Sequence, residues 1–184
     1  MKKYLVYGFL ITMTAFITSC EKEEPEIPEV EEVITTLIYT LTSENGDVVT
    51  MTFRDLDGDG GNAPTVTGGT LTQNTIYTGS IELSNESETP AEDITEEIAE
   101  EDEEHQFFFD SDVSGIAFSY NDEDEDGNPI GLASTLSTGV AGSGTVTIIL
   151  RHLPNKSGSG VADGDITNAG GETDIEVNFD VSVE

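Results

Sequence analysis

The chain has 184 residues, with 38 Asp and Glu against 6 Lys and Arg, and its formal net charge is −32. Nucleic-acid binders neutralise phosphates with Lys and Arg, so this composition excludes that class, and it also excludes docking on anionic lipid through a basic patch. Hydrophobic residues make up 35% of the chain. This share is enough for a folded domain rather than disorder.

Residues 1–19 are predicted to be a secretion signal. Lys2 and Lys3 provide a positive start, and Tyr4–Ile17 is an apolar stretch too short for a comfortable membrane span. The single cysteine, Cys20, stands where a lipobox would place the residue that becomes acylated. We therefore predict lipidation of Cys20 and anchoring to a membrane through its acyl chains. The alternative is an ordinary signal peptide with an incidental cysteine.

Residues 20–32 are predicted to be a tether, because they are acidic and contain Pro25 and Pro28, and so cannot bury apolar area. Acidic residues directly after the lipidated cysteine resemble a surface-export signal of bacterial outer-membrane lipoproteins. The expected location is the outer membrane, on the cell surface, with the periplasmic face as the alternative. Nothing in the sequence identifies a protein or glycan partner.

Residues 33–184 are predicted to form one domain, because from Val33 onward apolar residues recur with a period of two, as in strands with one buried face. Asn45-Gly46 separates the first two runs and is a strong hairpin signal. In the last run, Ile175 and its alternate neighbours are expected inside, and Asp174 outside. The pattern predicts an all-β fold, mainly an antiparallel β-sandwich of Ig-like or Greek-key type. The later runs are Thr75–Ser84, His105–Asp110, Ile116–Tyr120, Leu132–Ser137, Thr145–His152 and Asp174–Val183.

One segment, residues 90–104, departs from this period-two alternation. Thr89-Pro90-Ala91-Glu92 is a capping-box pattern with proline at the first helical position, and Ile94 and Ile98 continue a narrow apolar stripe. We predict one short acidic α-helix there. Its last turn is acidic, which is the unfavourable sign for the C-terminal end of a helix dipole.

Two loops share the pattern D-x-D-x-D-G and follow predicted strands. Carboxylates at alternate positions of a tight loop can converge on one hard cation, and glycine at the sixth position permits the bend. We therefore predict calcium as a possible cofactor at one or both loops. The alternative is a pair of acidic surface turns. The predicted ligands are Asp55, Asp57 and Asp59 in the first loop and Asp122, Asp124 and Asp126 in the second.

The resemblance to an EF-hand or dockerin loop ends after six residues. An EF-hand has a bidentate acid at its twelfth position, where these loops carry Val66 and Ala133. Additional oxygens would have to come from the backbone, from water or from a neighbouring loop such as Asp163-Gly164-Asp165. Affinity in the range of extracellular modules, about 10⁻⁴–10⁻³ M, is expected.

Other cofactor chemistry has weaker support in the sequence. Gly58–Ala63 matches a dinucleotide-binding pattern formally, but its aspartates would repel a pyrophosphate. His105 and His152 are the only histidines and lie far apart in the chain, so a zinc site is not expected. No G-x-S-x-G motif occurs, and no catalytic residue is assigned.

Several segments resemble a group of small flavobacterial lipoproteins, over nearly the whole mature chain. Members often carry the label "type 1 periplasmic binding fold superfamily protein", which implies a solute receptor with two Rossmann-like lobes. The resemblance supports a lipoprotein and supplies no catalytic residues. It rests on Asp55–Gly60 with Ala63-Pro64, Pro90–Glu97, Glu104–Phe108, Leu150–Lys156 and Gly170–Val177.

Three functions remain open from the sequence. The favoured one is a non-catalytic envelope lipoprotein that acts as a binding or structural module, with calcium as a stabilising ion. The second is a periplasmic solute-binding protein that feeds a transporter, as the family label implies. The third is a hydrolase that uses a pair of carboxylates.

Overall fold

The computed structural model describes residues 32–58 and 60–184. Within these ranges the chain forms two β-sheets, the α-helix α1 at Ile94–Glu100, and two 3-10 turns, η1 at Val161–Asp163 and η2 at Ile166–Asn168. The strands are β1 Thr36–Ser43, β2 Val48–Arg54, β3 Thr65–Thr67, β4 Gly69–Leu71, β5 Ile76–Asn85, β6 Glu92–Asp93, β7 His105–Ser111, β8 Ala117–Tyr120, β9 Ala133–Ser137, β10 Gly142–His152 and β11 Glu172–Val183.

The first sheet has the order β3-β2-β1-β5-β9-β8, and β6 pairs with β5. Its strand pairs are antiparallel. The predicted hairpin joins β1 to β2, with Gly46 at φ 86° in the turn, a conformation that glycine adopts without strain.

The second sheet has the order β4-β11-β10-β7, with β4 parallel to β11 and the other pairs antiparallel. One hydrophobic core takes side chains from both sheets, for example Leu37 and Tyr39 from the first and Ile148 and Phe179 from the second, all without exposed surface. This arrangement confirms the predicted all-β sandwich.

The predicted helix is present, but it is shorter than 90–104. Glu92 and Asp93 pair with the end of β5 as the short strand β6, so the helix cannot begin before Ile94. The Asp93 carboxylate caps it by accepting hydrogen bonds from the amides of Thr95 (3.0 Å) and Glu96 (3.3 Å). The helix ends at Glu100, and its last turn has no basic residue that would favour a longer helix.

Buried Ile94 and Ile98 pack the helix onto the core, and the Thr95 hydroxyl exchanges hydrogen bonds with the backbone of Leu83 in β5 (2.8 and 3.1 Å). The helix is therefore held at the end of β5. Beyond it, the chain turns through residues 101–104 directly into β7. Among the described residues, no helix is long and apolar enough to cross a membrane.

Candidate metal centre

The two histidines of the chain meet at one end of the second sheet. His105 is the first residue of β7 and His152 the last residue of β10, and the antiparallel register makes them direct cross-strand partners. Their rings stack with centroids 4.7 Å apart, and both side chains are buried. Strand alternation explains this burial, because His105 shares the inner face with Phe107, and His152 shares it with Leu150.

A β-bulge adds Asp174 to the histidine pair. Leu150 faces Ile175 and Arg151 faces Thr173, so Asp174 is the extra residue of β11 in this register. Bulges redirect side chains, and the Asp174 side chain has no exposed surface. Its oxygens lie 3.8 Å from His105 Nε2 and 3.8 Å from His152 Nδ1. The outward orientation predicted for Asp174 from uninterrupted alternation was therefore wrong.

Glu32 completes the cluster from the chain segment that precedes β1. Its Oε1 atom lies 3.4 Å from His105 Nε2, and its side chain is only 8% exposed. Its other oxygen, Oε2, is buried and has no hydrogen-bond partner. The sequence analysis placed this residue in the solvated tether, whereas the structure packs it against the sandwich.

One ligand atom from each of Glu32, His105, His152 and Asp174 lies within 4.8 Å of the other three. Within residues 32–58 and 60–184, this is the one group of three or more such side chains close enough to share an ion. Zinc binds imidazole nitrogen and carboxylate oxygen at about 2.0–2.2 Å, which puts neighbouring ligand atoms of a tetrahedral site about 3.4 Å apart. Small side-chain shifts would close the group around one ion.

Hydrogen bonding prepares His105 as a metal ligand. Its Nδ1 lies 3.2 Å from the backbone carbonyl oxygen of Glu101, just beyond α1. A carbonyl only accepts, so this contact requires a proton on Nδ1, and in the neutral ring the Nε2 lone pair would then face the cluster, where Nε2 has no hydrogen-bond partner. Carboxylates lie near both ring nitrogens of His152, with Nδ1 3.8 Å from Asp174 Oδ1 and Nε2 3.9 Å from Glu104 Oε2. Such outer partners orient histidine ligands in metal sites.

The charge of the group suits a divalent transition metal. The side chains of Asp174 and Glu32 are almost fully removed from water and together carry two negative charges when ionised. Burial and the neighbouring carboxylates of Glu92 and Glu32 also raise the pKa of Glu97 on α1. Imidazole and carboxylate ligands without thiolate favour Zn²⁺, Cu²⁺ or Ni²⁺ over Cu⁺.

The first aspartate loop makes mostly internal hydrogen bonds. Asp55 Oδ1 accepts from the amides of Asp57 and Gly58, and Asp57 Oδ2 accepts from the backbone amide (3.0 Å) and side-chain amide (2.7 Å) of Asn62. These bonds from Asn62 lower the pKa of the exposed Asp57. The third predicted ligand, Asp59, lies outside the described residues.

The second aspartate loop separates its predicted ligands. Asp122 accepts hydrogen bonds from the amides of Gly131 and Ala133, both at 2.8 Å, where the chain enters β9. Asp124 is buried and binds the Lys156 ammonium at 3.0 Å, while Asp126 is exposed. Calcium binding at the two loops stays a prediction, as does lipidation of Cys20, which also lies outside the described residues.

The histidine cluster was missed because it depends on strand pairing. Alternation alone places His105 and His152 on inner faces at the ends of two predicted strands, which was the available signal. Their contact requires the β7–β10 register, and the approach of Asp174 requires the bulge. The distance between the histidines along the chain therefore did not indicate their distance in the fold.

Comparisons of the chain with protein-family models, with curated proteins and with solved structures find no match.

Proposed function

We propose that this protein is a non-enzymatic, lipid-anchored envelope protein whose β-sandwich binds one zinc ion through Glu32, His105, His152 and Asp174. The observation that carries the metal assignment is the convergence of these four side chains, from three strands and the segment before β1, on one buried point. The anchor is supported by the lipobox-like placement of Cys20 in the sequence.

The arrangement supports a closed metal site. Four protein ligands fill a tetrahedral zinc shell, whereas catalytic zinc keeps one position for water or substrate. The near-complete burial of Glu32, His105 and Asp174 likewise keeps solvent and substrate away. The ion would therefore stabilise the fold or be held as cargo. The same burial argues against Asp174 and Glu32 as the carboxylate pair of a hydrolase.

The fold gives no support to the solute-receptor alternative as the family label describes it. Such receptors have two Rossmann-like lobes in which strands alternate with helices. The described residues instead form two sheets with mainly antiparallel strands and one helix of seven residues.

The test is zinc titration of the metal-stripped full chain by calorimetry, with metal content measured on the purified protein. One zinc ion per chain is expected. Asp174→Asn keeps the side-chain shape but weakens one ligand, and we expect an affinity loss of about tenfold or more, the range that even outer-shell changes reach. Asp180→Asn, the same change at an exposed position of β11, serves as the matched control and should bind as the wild type does.

Cobalt substitution provides an independent readout, because tetrahedral Co²⁺ bound by nitrogen and oxygen absorbs visible light. The wild type and Asp180→Asn should show this band, and Asp174→Asn should lose intensity. Equal zinc affinity of Asp174→Asn and the wild type would place the metal elsewhere, for example in the acidic loops. No zinc binding at all by the wild type would overturn the metal assignment.

A further inference from the structure

Glu32 is the one member of the metal cluster that no strand holds. His105, His152 and Asp174 lie on paired strands of the second sheet, whereas Glu32 lies four residues before β1. We call Glu32–Ile34 the N-terminal arm. Backbone pairing with the sandwich is in place at Thr35, whose amide donates to the Ser84 carbonyl (3.1 Å) and whose carbonyl accepts from the Asp55 amide (2.8 Å).

The side chains of the arm do not by themselves explain why it lies against the site. Ile34 packs against the core, but Val33 is 56% exposed. The Glu32 carboxylate is nearly buried, and its Oε2 atom has no hydrogen bond. Removing a carboxylate from water without full pairing is costly.

Neighbouring charges add to this cost. Glu97 on α1 is close enough for the charge of Glu32 to raise the pKa of Glu97, and Asp174 approaches the same His105 Nε2 atom as Glu32 does. Glu104 lies near the other histidine, 3.9 Å from His152 Nε2. Glu97 and Asp174 thus place negative charge near the inward position of Glu32, and Glu104 adds a carboxylate at the second histidine. A cation at the cluster turns this repulsion into attraction.

We propose that zinc occupancy controls the position of the N-terminal arm. With zinc bound, Glu32 is a ligand and the arm is seated against the sandwich; without zinc, Glu32 moves into water and the arm detaches as far as Thr35. This inference rests on the zinc site proposed above. The arm would then be a metal-dependent clasp, that is, a segment attached to the sandwich only when zinc is bound. It lies at the point where the predicted tether from Cys20 reaches the domain.

The clasp changes how far the tether extends. Each extended residue spans about 3.3–3.6 Å, so release of the three arm residues would lengthen the free chain between anchor and sandwich by up to roughly 10 Å. The ligand chemistry is that of a divalent transition metal from the surrounding medium.

The experiment is hydrogen–deuterium exchange of the full chain in detergent, with and without saturating zinc, followed on peptides that cover residues 32–36. In the wild type we expect zinc to slow exchange of the arm by about tenfold or more, as a new tertiary anchor would. In Glu32→Gln, zinc should bind more weakly, and at saturation the arm should exchange as in the metal-free wild type. Glu96→Gln, an exposed charge change on α1, should behave as the wild type does.

The two proposals fail in different ways. Absence of zinc uptake by the wild type would overturn the zinc site itself. Zinc binding by the wild type without any change in exchange of the arm would overturn the clasp alone, and so would equal zinc affinity of Glu32→Gln. The comparison of wild type with and without zinc needs no variant, so a folding defect in Glu32→Gln would not block the test.

Discussion

Lys156 acts as an internal cation for the second aspartate loop. Its ammonium group donates to Asp124 Oδ2 at 3.0 Å, to the Pro129 carbonyl at 3.2 Å and to the Asp102 carbonyl. Asp124 also accepts from the backbone and side-chain amides of Asn128. The mutual repulsion of the loop's carboxylates is therefore relieved at Asp124 by a lysine from a distant part of the chain.

Lys156→Met is expected to destabilise the fold by about 3–5 kcal/mol, because it leaves the buried Asp124 carboxylate without its partner. Urea unfolding at pH 7 measures this loss. The double variant Lys156→Met/Asp124→Asn removes the uncompensated charge and should recover part of it. A single variant as stable as the wild type would mean that the pair contributes nothing.

The same variant has a defined pH dependence. Burial raises the pKa of Asp124, but hydrogen bonds from Asn128 and Lys156 outweigh burial, and the net pKa is lowered. A carboxyl with a lowered folded-state pKa stabilises the fold above its unfolded pKa of about 3.9, and this stabilisation is lost as pH falls through the folded value. The difference between wild type and Lys156→Met should therefore shrink below about pH 4.

At the scale of elements, the side chains of Tyr39 in β1 and Ser134 in β9 fill the space beside Gly79 in β5. A Cβ atom there would lie 2.6 Å from both the Tyr39 hydroxyl and the Ser134 hydroxyl. These two hydroxyls share a buried hydrogen bond of 2.8 Å, and burial raises the pKa of Tyr39 to about 12. Gly79 thus provides the space for a polar contact inside the core.

Gly79→Ala should cost about 1–3 kcal/mol of stability, the usual range for overpacking a core. Thermal or urea unfolding provides the measurement. Ser80→Ala, the next residue on the exposed face of β5, is the matched control and should change little. Adding Tyr39→Phe to Gly79→Ala removes one of the clashing oxygens and should restore some stability. A neutral Gly79→Ala would show that β5 can shift outward.

Local sequence patterns predicted the strands and the helix well. They did not predict the features that depend on pairing between distant strands. The alternation from Ile175 to Val183 was correct for every apolar residue, because each such residue faces the core. It failed at Asp174, where pairing with β10 inserts a bulge. The helix was predicted from Ile94 and Ile98, but its start depends on β6 pairing with β5. The cluster of Glu32, His105, His152 and Asp174 likewise depends on the β7–β10 register and on the bulge.

On the scale of the whole molecule, negative charge dominates. The formal net charge of −32 leaves the folded chain under self-repulsion, with few internal cations to offset it. The proposed zinc ion would both reduce this repulsion and join the segment before β1 to three strands of one sheet. Ions that bind only the folded state stabilise it by mass action.

Chelation of zinc should therefore lower the melting temperature. Zinc at a hundred times its Kd adds about 2.7 kcal/mol, and for a chain of this size that corresponds to a shift of about 5–10 °C. Calorimetric scans with and without chelator test this expectation. Asp180→Asn should show the full shift, and Asp174→Asn should show little. A shift of equal size in Asp174→Asn would assign the stabilisation to other ions.

Because the cross-strand pair His105–His152 uses every imidazole that the chain possesses, the protein carries its own spectroscopic reporter. Ring-proton resonances in an NMR spectrum of the unlabelled polypeptide would arise from these two rings without background from any other histidine. A change in these resonances on addition of zinc would report occupancy of the cluster directly, without any label.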